Sequence, residues 1–143
     1  KGKQLLVGFC KDGTMAIEAA LFSKEKIYAF DSTRQNVTAA RKNSQLAGMK
    51  DLVDIQKYEL DELDVRFSEL EFDNLIIQVT TKDEERLNEI YYQANYILKK
   101  KAIMLLIGRP NWELSVSEKF KLLEESEIKK GESVHKLWLL EKK

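Results

Sequence analysis

The chain of 143 residues has one cysteine, one histidine and one proline. A single cysteine excludes an internal disulfide, and a free thiol suits a reducing compartment, so the expected location is the cytoplasm. One Cys and one His are too few ligands for a structural zinc site, and no metal site is expected. No apolar run approaches the roughly 18 residues of a membrane span, and no signal-peptide pattern opens the chain, so no membrane partner is expected. Charge of one sign is missing too. Lys plus Arg total 24, as do Asp plus Glu. A domain that grips nucleic acid by itself usually carries a basic excess. A nucleic-acid partner would therefore need a local basic patch or a companion domain, whereas neutrality fits a protein partner.

What is present describes a globular domain: 43% apolar and 34% charged residues, with no repeat, linker or low-complexity tract. Residues 1–143 make one domain, and because the sequence starts with Lys1 it is expected to be cut from a longer protein. Short continuous apolar runs at 4–8, 26–30, 53–56, 74–79 and 102–107 read as strands buried on both faces. Helical patterns cover 14–22, 33–47, 82–99 and 114–124, with Thr14 and Ser32 or Thr33 as N-caps and Gly48 closing the second. Lys99–Lys101 read as the charged end of the third of these helices. Residues 57–71 are loosely patterned, with room for one helical turn. The single proline, Pro110, sits where the fifth strand stops, and 126–130 with 134–141 form a terminal hairpin about Gly131. Strands alternating with helices predict an α/β fold with a mostly parallel sheet.

Residues 4–31 hold the most specific unit. An apolar run leads into Cys10-Lys11-Asp12-Gly13-Thr14, then a short helix, then Lys26-Ile27-Tyr28-Ala29-Phe30-Asp31. This is the first half of a Rossmann-type nucleotide site, where amides at a helix start face the ligand and an acid takes ribose hydroxyls. Asp31 lies about 20 residues past the turn, the spacing expected for that acid. Gly13 serves the tight turn. Asp12 is a candidate for a ligand amine or a solvated loop acid. Cys10 reads as a small buried group, since His135, the only histidine, has no assignable place beside it.

The run Val7-Gly-Phe-Cys-Lys-Asp-Gly-Thr-Met-Ala-Ile-Glu-Ala-Ala20 resembles the first motif of class I S-adenosylmethionine-dependent methyltransferases. Within that class it is most similar to the RNA methyltransferases often fused to a THUMP domain, which modify guanine N2 in transfer or ribosomal RNA. Phe9, Cys10, Gly13, Thr14, Ile17, Glu18, Ala19 and Ala20 match in place, and Ala40-Arg-Lys-Asn-Ser-Gln-Leu-Ala-Gly-Met49 resembles a second family run. The resemblance implies a Rossmann-like class I methyltransferase sandwich of seven strands, order 3-2-1-4-5-7-6, with an antiparallel C-terminal strand. It implies S-adenosylmethionine over Phe9, Cys10, Asp12 and Gly13, with Asp31 on the ribose and Glu59 on the adenine amine. Gln78 is then the catalytic residue that orients an RNA base amine, the RNA being held through a companion domain.

The same comparison marks departures. Val7-Gly8 stand for an Asp-Pro, Lys11 stands for the first motif glycine, and Gln78-Val79-Thr80-Thr81 stand for Asn-Pro-Pro-Tyr. Gln78 keeps an amide, but Thr81 has no ring to stack a flipped base. Two readings follow: a methyltransferase acting on RNA, or a degenerate methyltransferase fold kept as a binding or scaffold module for a protein partner. A nicotinamide-dependent oxidoreductase ranks below both, because its glycine set is incomplete.

Overall fold

The structure, a computed structural model, describes residues 4–23 and 25–143. Among these, β1 (Leu5–Gly8), β2 (Ile27–Asp31), β3 (Val53–Lys57), β4 (Phe72–Gln78), β5 (Leu98–Gly108), β6 (Phe120–Lys130) and β7 (Ser133–Lys142) form one sheet. Its order is β3-β2-β1-β4-β5-β7-β6. The pairings among β1 to β5 are parallel, while β7 runs antiparallel to both β5 and β6. This is the α/β sandwich and strand order that the sequence led us to expect.

Helices α1 (Thr14–Ser23) and α2 (Arg34–Leu46) cover one face. Small residues let them lie close: Ala16, Ala20, Val37 and Ala40 pack with Val7, Ala29 and Ile55. The other face carries a 3-10 turn (Leu60–Glu62), α3 (Leu63–Arg66) and α4 (Glu84–Ile97). There Leu60, Leu63, Leu87, Ile90 and Ile97 pack on Phe30, Phe72, Leu75 and Ile77. Each such side chain stabilises the fold by roughly 1.5–3 kcal/mol. Gly13 joins the first two helices: at φ +86 it takes the left-handed turn, and a Cβ there would come within 2.9 Å of Ala40 Cβ.

The coverage stops short on the α1/α2 side. The register turns Ile76 of β4, Ile103, Leu105 and Ile107 of β5, and Leu137 and Leu139 of β7 to that side. All six are half-buried, and none joins either described core cluster.

Three expectations are corrected. No helix forms at 114–124; residues 109–119 cross the α4 side irregularly, and β6 begins at Phe120. Pairing along the whole of β7 and the alternation of Phe120 and Leu122 toward the core outweigh local helix propensity. Lys99–Lys101 do not end a helix. α4 stops at Ile97 because Leu98 already pairs with Phe72, and Lys99 meets Asp73 instead. Thr14 is the first helical residue of α1 rather than its cap; Asp12 Oδ1 accepts from its N–H (3.1 Å) and its hydroxyl (2.9 Å). Thr33 does cap α2, accepting from the Asn36 N–H at 3.3 Å, and Gly48 follows α2 at φ +73. No helix of the described residues is long and apolar enough to cross a membrane.

Candidate functional site

In a sheet of this order the direction of winding changes between β1 and β4, and the crevice outside their C-terminal ends is where such folds place ligands. The chain leaves β1 into a loop with two left-handed non-glycine residues, Phe9 (φ 57) and Lys11 (φ 52). Three backbone N–H groups fix it: that of Cys10 donates to Phe30 O (3.0 Å), that of Gly13 to Cys10 O (2.8 Å) and that of Lys11 to the side-chain Asp31 Oδ2 (3.0 Å). From α2, Asn43 Nδ2 donates to Asp12 O at 2.9 Å. Asn43 was not singled out in the sequence; its place in the run that starts at Ala40 was the available signal.

Asp31 is 3% exposed. Its Oδ1 accepts from the Thr33 N–H (3.1 Å), the Thr33 hydroxyl (3.3 Å) and Asn36 Nδ2 (3.1 Å), while Oδ2, among the described residues, accepts from the Lys11 N–H alone. Each carboxylate oxygen offers about two acceptor positions, so Oδ2 keeps one for a further donor. Asp12 is exposed, and its carboxyl is held below the usual range, first by the Thr14 N–H and then by the Thr14 hydroxyl. Cys10 is buried, and burial, reinforced by the nearby Asp31 carboxylate, pushes its thiol up to about 12. A thiol so placed is no nucleophile at neutral pH.

Gln78 ends β4, half-buried and turned to the same side as Ile76, with no side-chain hydrogen bond among the described residues. Glu59 lies after β3 on a cavity of about 380 Å³ whose wall also holds Asp61, Asp83, Glu85, Glu89 and Arg86. Arg86, in the first turn of α4, sets its guanidinium 4.9 Å from the centre of the Phe9 ring. It thereby links that cavity to the Phe9–Gly13 loop. Phe9, Cys10, Asp12, Gly13 and Asp31 thus come together directly, Glu59 lies on the adjoining cavity, and Gln78 ends the next strand. Arg86 was missed, and nothing in its local sequence marks it. Among the described residues no group of three His, Cys, Asp or Glu side chains could hold a metal ion.

Fold and loop together define a class I methyltransferase-type domain. By sequence the chain belongs to the family described as UPF0020, RMKL-like, methyltransferase domain, which matches residues 1–102. The cofactor of such a domain is S-adenosylmethionine. The free acceptor position on Asp31 Oδ2, beside a loop that has kept Gly13, fits a ribose hydroxyl.

Solved structures share the fold at low identity. TrmN from Thermus thermophilus superposes with a TM-score of 0.81 at 20% identity, over 99% of this chain and 44% of that one. Geranyl diphosphate C-methyltransferase from Streptomyces coelicolor A3(2), in complex with Mg2+, geranyl diphosphate and S-adenosyl-L-homocysteine, gives 0.66 at 13% identity, over 75% of this chain and 40% of that one. The [4+2]-cyclase SpnF gives 0.78 at 11% identity, over 99% and 74%. The chain therefore spans less than half the length of TrmN. Among curated proteins no sequence matches it.

Proposed function

We propose that this methyltransferase domain transfers a methyl group to a base amine of RNA. The observation that supports it is the clasp of the Phe9–Gly13 loop on Asp31, at the end of β2 and beside the crevice, within a chain whose 7–20 and 40–49 runs resemble RNA methyltransferases. S-adenosylmethionine supplies an electrophilic methyl group. The protein's part is positioning. Asp31 Oδ2 would accept from a ribose hydroxyl, Glu59 from the adenine amine, and the Gln78 side-chain carbonyl from an N–H of the target amine, whose proton passes to solvent as S-adenosylhomocysteine leaves. Thr81 offers no ring, so base stacking has to come from outside residues 80–81.

Calorimetric titration with S-adenosylmethionine and S-adenosylhomocysteine tests the cofactor part. Micromolar binding that disappears in Asp31→Ala is the expected result. Absence of binding at millimolar ligand sinks this reading. Transfer of a labelled methyl group to a pool of unmodified RNA tests the substrate part.

A second reading, a degenerate fold kept as a binding module, is favoured by two observations: Arg86 lies over the Phe9 ring, and Lys11 takes the left-handed conformation that a glycine would take freely. Methylation of any RNA by the purified protein removes it.

A further inference from the structure

Away from the crevice, along the free edge of β3 on the α2 side, runs an open groove of about 750 Å³. Its charged lining is Lys26, Arg41, Lys42 and Lys50 against Asp51 and Asp54, four cations to two carboxylates in a chain that is otherwise balanced. Lys42 and Lys50 are exposed and enter no ion pair among the described residues.

The groove is a poor place for an added peptide strand, because the edge is already blunted. Arg41 Nε and Nη2 donate to the outward Ile55 O at 3.0 and 2.8 Å, and the Val53 N–H donates to Met49 O. What stays open is cationic side chain, the chemistry that takes phosphate oxygens.

We propose that this groove binds phosphates of the sugar–phosphate backbone of the RNA, two strands away from the β1–β4 crevice where the base would react. The inference rests on the RNA reading above. It supplies the local basic patch that a net-neutral domain needs in order to hold a polyanion.

The test is fluorescence anisotropy of a labelled, unmodified tRNA transcript with the 143-residue chain at 50 and 200 mM KCl. Lys42→Glu/Lys50→Glu should weaken binding about tenfold at the lower salt and flatten the salt dependence by about two phosphate contacts. The control, Lys100→Glu/Lys121→Glu, makes the same charge change on exposed positions of β5 and β6 and should have less than half the effect in log units. Equal weakening by both pairs, or none by the groove pair, overturns the inference while RNA binding itself stands. If the wild-type chain binds S-adenosylhomocysteine but not the transcript at either salt, the groove assignment falls, while the RNA reading is decided by the methyl-transfer assay.

Discussion

The backbone N–H of Lys11 donates to Asp31 Oδ2 at 3.0 Å from a residue whose own φ is 52°. The strained residue and the acid are thus held by one bond, and the bond requires the left-handed turn. For a non-glycine residue that turn costs about 1–2 kcal/mol, because Cβ crowds the following carbonyl. Lys11→Gly should therefore stabilise the fold by about 0.5–1 kcal/mol, the relief being partly offset by greater freedom of the unfolded chain. Urea unfolding measures it. A lower midpoint in the variant would mean that the Lys11 side chain contributes more than its conformation costs.

Arg86 sets its guanidinium 4.9 Å from the centre of the Phe9 ring, and a ligand that lies over Phe9 would compete with that contact. A cation over a ring at a partly exposed site is worth about 0.5–1 kcal/mol. Arg86→Ala should accordingly raise affinity for S-adenosylhomocysteine by about twofold to fivefold, read by calorimetry. Weaker binding in the variant would show that Arg86 holds the ligand rather than covering its place.

Alkaline pH should destabilise this protein in a defined window. Burial pushes both the Cys10 thiol and the Tyr91 hydroxyl up to about 12, the latter donating to Ser115 O at 2.8 Å. The unfolded chain releases these protons nearer pH 9 and 10, the ordinary values of the two groups. Between there and about 12 the folded state binds more protons, so stability is complete below that window and falls as pH rises through it. Each group contributes a slope of up to about 1.4 kcal/mol per pH unit. Urea midpoints from pH 8 to 11 should fall, and fall less steeply in Cys10→Ala even though that variant starts lower. A flat wild-type profile would remove the buried-thiol assignment.

The alternation of strands and helices was legible because the inner parallel strands pack on both faces, which makes β1 a continuous apolar run, Leu5-Leu6-Val7. The clasp loop was legible through Gly13 and Asp31, whose roles follow from turn geometry and from position after β2. The strand at 120–130 was not, since Leu122-Leu123 satisfies a helical and an extended pattern equally and only pairing with β7 decides between them. Arg86 and the β3-edge groove were hidden for a different reason. Their residues come from separate elements and meet only when the sheet is assembled.

Adjacent positions on β5 should respond very differently to truncation. Leu106 is fully buried on the α4 side, in register with Trp138, while Leu105 faces the other way, opposite Leu139. Truncating Leu106 removes its contacts and leaves a cavity between packed layers, so Leu106→Ala should cost about 2–5 kcal/mol. Leu105 is half-buried and joins neither described core cluster, so its truncation should leave little cavity. Leu105→Ala should cost about 1 kcal/mol, the transfer of one partly buried side chain. Equal losses in urea unfolding would show that the Ile76–Leu105–Leu139 face is packed against something in solution, and concentration dependence of the Leu105→Ala midpoint would identify that cover as a second copy of the chain.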